Sequence, residues 1–217
     1  HYLGEEGVEV GTKTSPGDMV TSVDLHVQER LVQELSAAYP TFGFLGEEAH
    51  LNRFDDTNPV WIIDPIDGTH NFVRAYPGFC VSVGLVLDGE SLVGVIYDAA
   101  TDAVFWAVAG EGAWREQGGT EQRLSVSDKP DMSSAMITTG FTSTSAADPA
   151  HLAVFAEFID AAAGTRVSGS ACRDLSLVAA GKVDLFWQFH IRPWDVAAGR
   201  LLVTEAGGRV ELETAAG

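Results

Sequence analysis

The chain is short of basic residues, of cysteine and of long apolar runs, and each shortage excludes something. Lys and Arg number 13 against 31 Asp and Glu, so the 217 residues carry a formal charge of −18. Tracking a nucleic-acid backbone needs a basic face, which excludes DNA and RNA polymers as partners and an anionic membrane surface with them. A small phosphorylated molecule stays admissible, provided cations stand between it and the acidic groups. The 2 cysteines, Cys80 and Cys172, lie far apart and form no CxxC pair. They read as small buried residues in a reducing, cytoplasmic compartment, not as a disulfide framework or a zinc site. No apolar stretch approaches the ~20 residues of a membrane span, and no signal peptide is visible. The 6 histidines show no ligand spacing. Neither a GxSxG elbow nor a Walker loop is present. The chain opens at His1 without an initiator Met and stops at Gly217 after a strand-like stretch, so both natural ends are expected to be missing.

What is present is ordinary globular material, 46% hydrophobic and 20% charged. A chain of this length buries roughly 70% of its unfolded surface, enough for a core without staples. Val23, Val27, Leu31 and Leu35 recur at i, i+4, which predicts an amphipathic helix ending near Tyr39-Pro40. Thr21 to Asp24 fits a capping box at its start. Phe42 to Leu45 reads as a short strand, and Val60 to Ile63 as a buried strand that Pro65 should stop. Phe79 to Leu87 and Leu92 to Tyr97, joined through Asp88-Gly89, form a hairpin that Ala103 to Val108 extends into an antiparallel meander. Beyond about Asp131 the elements alternate. Strands are expected over 135–139, 165–168, 183–187 and 209–212, and helices over 151–163, 171–180 and 196–206. This order suggests two packed sub-domains, about 1–130 and 131–217, with helices between the sheets and a cleft in one compact unit.

The chemistry concentrates in acidic residues. In Trp61 to Phe72, WIIDPIDGTHNF, a buried strand delivers Asp64, Pro65 turns the chain and Asp67-Gly68-Thr69 opens a helical turn. Two carboxylates with the Ile66 carbonyl between them can point at one spot, and oxygen-only ligands select a hard cation such as Mg²⁺. The N–H groups of Gly68 and Thr69 offer an anion site beside it. Asp-Pro and Asp-Gly also fit a plain turn. By themselves, Gly46-Glu47-Glu48 fits a solvated loop, Asp195 a helix N-cap and Asp24 half of a capping box.

Together these pieces resemble the inositol monophosphatase family of metal-dependent, lithium-sensitive phosphatases. The resemblance runs from Lys13 to Gly208 and rests on KTSPGDMVTSVD (Lys13 to Asp24), GEE, WIIDPIDGTHNF, GSACRDLSLVAAGKVDLFWQ (Gly169 to Gln188) and PWDVAAGRLLVTEAGG (Pro193 to Gly208). It implies an α/β (α+β) chain, one domain folded as the layered αβαβα sandwich of the inositol monophosphatase and fructose-1,6-bisphosphatase type. It implies hydrolysis of a phosphate monoester of a small polyol by metal-activated water, with two or three Mg²⁺ ions, no covalent phosphoenzyme, and a homodimer. Glu47, Asp64 and the Ile66 carbonyl correspond to ligands of a first Mg²⁺, and Asp64, Asp67 and Asp195 to ligands of a second. Glu47 corresponds also to a ligand of a weaker third ion. Thr69 corresponds to the residue that orients the attacking water, with Asp24 behind it, while Glu48 supports the ligands. Asp67, Gly68, Thr69 and Asp195 would border the substrate, and Gly169, Ser170 and Ala171 would meet its hydroxyls. Gln188 stands where inositol-selective members usually carry Glu, and Arg192-Pro193 also depart from the usual pattern. Related enzymes with the same core motifs act on histidinol phosphate, fructose 1,6-bisphosphate or adenosine 3′-phosphates, so substrate choice is the open point.

Overall fold

The structure is a computed structural model that describes residues 9–12, 19–48, 51–55, 57–129, 131–142 and 148–212. Lys13 to Asp18 of the first motif lie outside that range. A short ribbon, β1 (Val10–Thr12) and β2 (Met19–Thr21), leads into α1 (Ser22–Ala38). The expected capping box is formed: the Thr21 hydroxyl oxygen accepts from the backbone N–H of Val23 and Asp24, and the Asp24 carboxylate accepts from the Thr21 N–H at 2.9 Å.

A seven-stranded sheet follows, in the order β3-β4-β5-β6-β7-β8-β9. Its strands are β3 (Gly43–Gly46), β4 (Val60–Asp67), β5 (Cys80–Leu87), β6 (Glu90–Asp98), β7 (Ala103–Val108), β8 (Gly112–Gln117) and β9 (Thr120–Arg123), with the short helix α2 (Thr69–Val73) after β4. β3 pairs parallel to β4, and every later pair is antiparallel. A smaller parallel sheet, in the order β11-β10-β12, comprises β10 (Met136–Thr139), β11 (Gly164–Val167) and β12 (Leu185–Trp187). Its connections carry α3 (Pro149–Ala161) and α4 (Ala171–Ala179), and α5 (Pro193–Glu205) follows β12.

α1 packs on β4, and α3 on β11. α4 and α5 pack on each other; α5 lies on the large sheet, while α4 touches both sheets. The layers are therefore α, β, α, β, α. The principal core lies under α4 and α5, where Leu175, Val178, Leu201 and Leu202 meet Ile96 and Phe105 of the large sheet. Two glycines set how close α5 comes. Gly84 and Gly94 face each other across β5 and β6, and a Cβ on Gly94 would stand 2.6 Å from the Ala198 carbonyl oxygen. The helix thus lies directly on strand backbone, and Ser91 fixes it by donating to the Ala197 carbonyl at 2.8 Å.

Three expectations need correction. Pro65 does not stop its strand: β4 continues to Asp67, with a bulge against β5 between Asp64 and Asp67. Proline has no N–H to leave unpaired there, which is why a bulge tolerates it. α5 begins at Pro193, not Val196, because proline suits the first helical position. Arg209 to Leu212 pair with no strand among the described residues. β8 and β9, which the periodicity did not mark, extend the meander through Gly118-Gly119, both at positive φ as a tight hairpin requires.

Candidate active site

The β4 bulge decides where the two aspartates point. Residues three apart on a regular strand face opposite sides. Between Asp64 and Asp67, β4 holds one residue more than β5 does, since Asp64 pairs with Ser82 and Asp67 with Cys80. The extra residue returns Asp67 to the side of Asp64. Asp64, Asp67 and Asp195 accordingly each place a carboxylate oxygen within 4.8 Å of the others. Glu47 joins through the sheet: the parallel pairing sets Gly46 beside Ile63, the Glu47 N–H donates to the Ile63 carbonyl at 3.1 Å, and the side chain bonds to Asp64. Glu48, buried, lies behind, its N–H donating to the Gln28 side chain at 3.2 Å.

Asp195 is not an N-cap. It is the third residue of α5, where one oxygen accepts from the Arg192 N–H at 2.8 Å and helps to close the first turn. Asp24 closes the capping box and also comes near Thr69. One oxygen completes the capping box; the other lies 3.4 Å from the Thr69 hydroxyl, which also stands 3.1 Å from the Ile66 carbonyl. Gly68 turns at φ 91°, and a Cβ there would meet the Gly78 and Gly169 carbonyls at 3.0 and 3.1 Å. The loop after β11 therefore reaches α2 only because residue 68 has no side chain. Asn71 ties the same loop down by donating to the carbonyls of Gly78 (2.6 Å) and Ser168 (2.9 Å).

The three substrate-segment residues divide. Gly169 lines this junction, Ala171 is buried at the start of α4, and Ser170, 2% exposed, donates its hydroxyl to Asp67 Oδ2 at 2.7 Å. Ser170 thus holds a carboxylate of the cluster. The Cys172 N–H reinforces it at 2.6 Å, and the Cys80 thiol approaches the same oxygen at 3.6 Å. Cys172 falls inside the motif from Gly169 to Gln188 and Cys80 in none, and neither was expected at the centre; their meeting depends on how α4 packs against β5. Gln188, half-buried, lies against Gly140 at the carboxyl end of the small parallel sheet. Nearby, Arg173 pairs with the buried Asp98 at 3.1 Å.

Burial raises the pKa of every aspartate of the cluster. For Asp64, lifted well above the usual carboxylate range, the charges of Glu47, Asp67 and Asp195 add to desolvation. Asp67 is raised less, because the donors from Ser170 and Cys172 oppose burial. Asp195 is pushed up to about 7 by burial and by Asp67. Asp24 is raised chiefly by burial, against its bonds to Thr21. So many carboxylates cannot all ionise side by side without a counter-cation. The donors fit one: all are oxygens, suited to a hard divalent ion, and buried Asp64 Oδ1 has no hydrogen-bond partner.

A stability test follows from the sign of these shifts. An acid whose pKa is raised in the fold holds a proton that the unfolded chain has released, so stability falls as pH climbs from about 4 through 7. Chelator-treated protein should melt lower at pH 8 than at pH 5.5. Mg²⁺ should raise the melting temperature more at pH 8, where the carboxylates are otherwise uncompensated. Thermal scans at both pH values, with and without Mg²⁺, check this; an equal Mg²⁺ effect at the two would contradict it.

Among the described residues no helix is long and apolar enough to cross a membrane. The sequence matches the inositol monophosphatase family over residues 2–214. It is 38% identical over 203 residues to the inositol-1-monophosphatase of Caulobacter vibrioides, covering 92% of this chain and 77% of that protein. It is likewise 38% identical over 200 residues to the Nus factor SuhB of Pasteurella multocida, covering 92% of this chain and 73% of that one. The crystal structure of the extragenic suppressor protein SuhB from Bartonella henselae superposes with a TM-score of 0.83 at 36% identity, over 93% of this chain and 76% of that one. The layered sandwich and the gathered carboxylates agree with these likenesses: the chain belongs to the inositol monophosphatase family and is a phosphoric monoester hydrolase.

Proposed function

We propose that the protein hydrolyses a phosphate monoester of a small polyol with Mg²⁺, using water as the nucleophile. The observation that carries this reading is the oxygen-only cluster of Asp64, Asp67 and Asp195, with an unpartnered carboxylate oxygen on Asp64. In this reading Glu47, Asp64 and the Ile66 carbonyl hold one cation, Asp64, Asp67 and Asp195 a second, and Glu47 a weaker third. Bound cations would supply charge neutralisation at the phosphate and activation of the attacking water. The family relation adds lithium sensitivity and a cytoplasmic homodimer, built as one domain whose sub-domains meet near residue 130.

The chain's own groups then have defined tasks. The Thr69 hydroxyl owns one hydrogen and faces two acceptors, the Ile66 carbonyl and Asp24. With the Ile66 carbonyl engaged as a ligand, that hydrogen turns to Asp24. The Thr69 lone pairs are then free to accept from water and orient it. Asp24 is buried, so its bond to Thr69 is shielded from competing solvent. The N–H groups of Gly68 and Thr69 face the phosphate. Asp67 and Asp195 border it, and Gly169, Ala171 and Gln188 border the alcohol portion.

Gln188 bears on substrate choice. An amide both donates and accepts, and it removes one negative charge from an acidic cleft. This supports broader specificity than that of an inositol-selective enzyme, with inositol 1-phosphate accepted but not uniquely preferred. The test is phosphate release with Mg²⁺ over inositol, sugar, nucleotide and histidinol phosphates, for the wild type and Gln188→Glu. The substitution should raise the kcat/KM preference for inositol 1-phosphate over a less hydroxylated ester by about 5-fold, roughly the 1 kcal/mol of one modest hydrogen bond. An unchanged ratio would remove Gln188 from the specificity site. No Mg²⁺-dependent release from any ester would refute the reading itself.

A further inference from the structure

Asp67 belongs to two clusters. One oxygen-bearing set joins it to Asp64 and Asp195; the other joins it to the thiols of Cys80 and Cys172, again with all donor atoms within 4.8 Å of one another. The two sets differ in chemical character. The first is hard. The second offers two sulfurs and one carboxylate oxygen, a combination that prefers soft or borderline ions over Mg²⁺.

The geometry of the second set matches a tetrahedral site. With Zn–S bonds of about 2.3 Å and Zn–O bonds of about 2.1 Å, tetrahedral edges are about 3.8 Å between sulfurs and about 3.6 Å between sulfur and oxygen. Cys80 Sγ stands 3.6 Å from Asp67 Oδ2 and 3.4 Å from the Ser170 hydroxyl. The two sulfurs lie within 4.8 Å of each other. Ser170, 2.7 Å from the same Asp67 oxygen, stands at hydrogen-bond distance and supports that oxygen from outside the set. Cys80 and Cys172 are 0% exposed, so the site is closed on the protein side, and it meets the acidic cluster through Asp67.

We propose that Cys80, Cys172 and Asp67 form a second metal site, selective for a soft divalent ion such as Zn²⁺, whose occupation inhibits the enzyme by engaging Asp67. Binding forms two metal–sulfur bonds and releases both thiol protons to solvent. It also replaces the hydrogen bonds that Ser170 and Cys80 give to Asp67 Oδ2 and those that the Cys172 thiol gives to the Trp194 and Asp195 carbonyls. Asp67 is then shared between two cations, and its hold on the hard one weakens. Excess Mg²⁺ cannot clear the site, since thiolates discriminate against it. The inhibitory half of this proposal rests on the function proposed above; the binding half does not.

Cadmium is the probe for binding, because thiolate-to-cadmium charge transfer absorbs in the ultraviolet and the chain has only 2 cysteines to produce it. Titration of chelator-treated protein with Cd²⁺, under a large excess of Mg²⁺, should give a band that saturates at one equivalent with release of two protons. Cys80→Ser should halve the band and weaken binding at least about 10²-fold. No band in the wild type, or an unchanged band in Cys80→Ser, overturns the site whatever the stability of the variant. In phosphate release, Zn²⁺ should inhibit the wild type without relief by excess Mg²⁺. The inhibition constant should rise at least about 10-fold in Cys172→Ala, measured against that variant's own uninhibited rate. A cadmium band without zinc inhibition overturns the coupling through Asp67. Failure of every ester with Mg²⁺ overturns the proposed function and leaves the spectroscopic result to decide the metal site.

Discussion

Asp67→Asn and Asp195→Asn should each lower Mg²⁺-dependent kcat/KM by more than about 10²-fold, since loss of even an outer partner of a metal ligand costs 10- to 100-fold. The expected effect is large because each side chain has two committed oxygens. Asp67 Oδ2 is fixed by Ser170 at 2.7 Å and by the Cys172 N–H at 2.6 Å, leaving Oδ1 to the cluster. One oxygen of Asp195 is fixed by the Arg192 N–H at 2.8 Å, leaving the other. The donors beside Asp67 keep an amide's carbonyl oxygen on their side, so its NH₂ turns toward the cation. Neither variant should unfold, because each removes a charge from a cluster whose members already repel one another. Melting temperature in chelator should hold or rise, while phosphate release collapses. Near wild-type turnover at saturating Mg²⁺ would remove the residue from the ligand set.

Asp24→Asn should show a double effect, because its two oxygens serve different masters. Turnover should fall about 10²-fold, the usual range for general acid–base help, since an amide cannot take the Thr69 proton. Stability should also fall, by about 0.5–2 kcal/mol, since the same side chain closes the capping box at the start of α1. Thr21→Ala separates the two. It removes the cap and leaves the Asp24 carboxylate facing Thr69, so it should lose the stability and keep turnover within a few-fold. A melting-point drop in Asp24→Asn with unchanged kcat would reduce Asp24 to a helix cap. Thr21 and Asp24 are both almost fully buried, so solvent replaces neither bond cheaply.

Local signals placed most of the elements. The i, i+4 stripe from Val23 to Leu35 is α1, and Asp88-Gly89 is the β5–β6 turn; a single element's periodicity and turn chemistry suffice for these. Two stretches misled for opposite reasons. β9 is a wholly polar strand at the sheet edge, and β8 beside it carries only Ala113 and Trp114 as apolar residues, so no apolar alternation announces them. Arg209 to Leu212 do alternate, and alternation does not supply a partner strand.

The sequence by itself determined which acidic residues to expect at the centre. Asp64, Ile66 and Asp67 are neighbours along the chain, and the family motifs named Glu47, Asp195, Thr69 and Asp24 as their companions. How these groups meet belongs to the tertiary structure. A bulge turns Asp67 to the side of Asp64, parallel pairing of β3 with β4 brings Glu47, and the glycine floor of Gly84 and Gly94 lets α5 carry Asp195 down. The thiols of Cys80 and Cys172, 92 positions apart, meet behind Asp67 only because α4 packs across β5. Sequence separation measures nothing of distance once sheets and helices are layered, so two cysteines that share no motif spacing can still face one carboxylate.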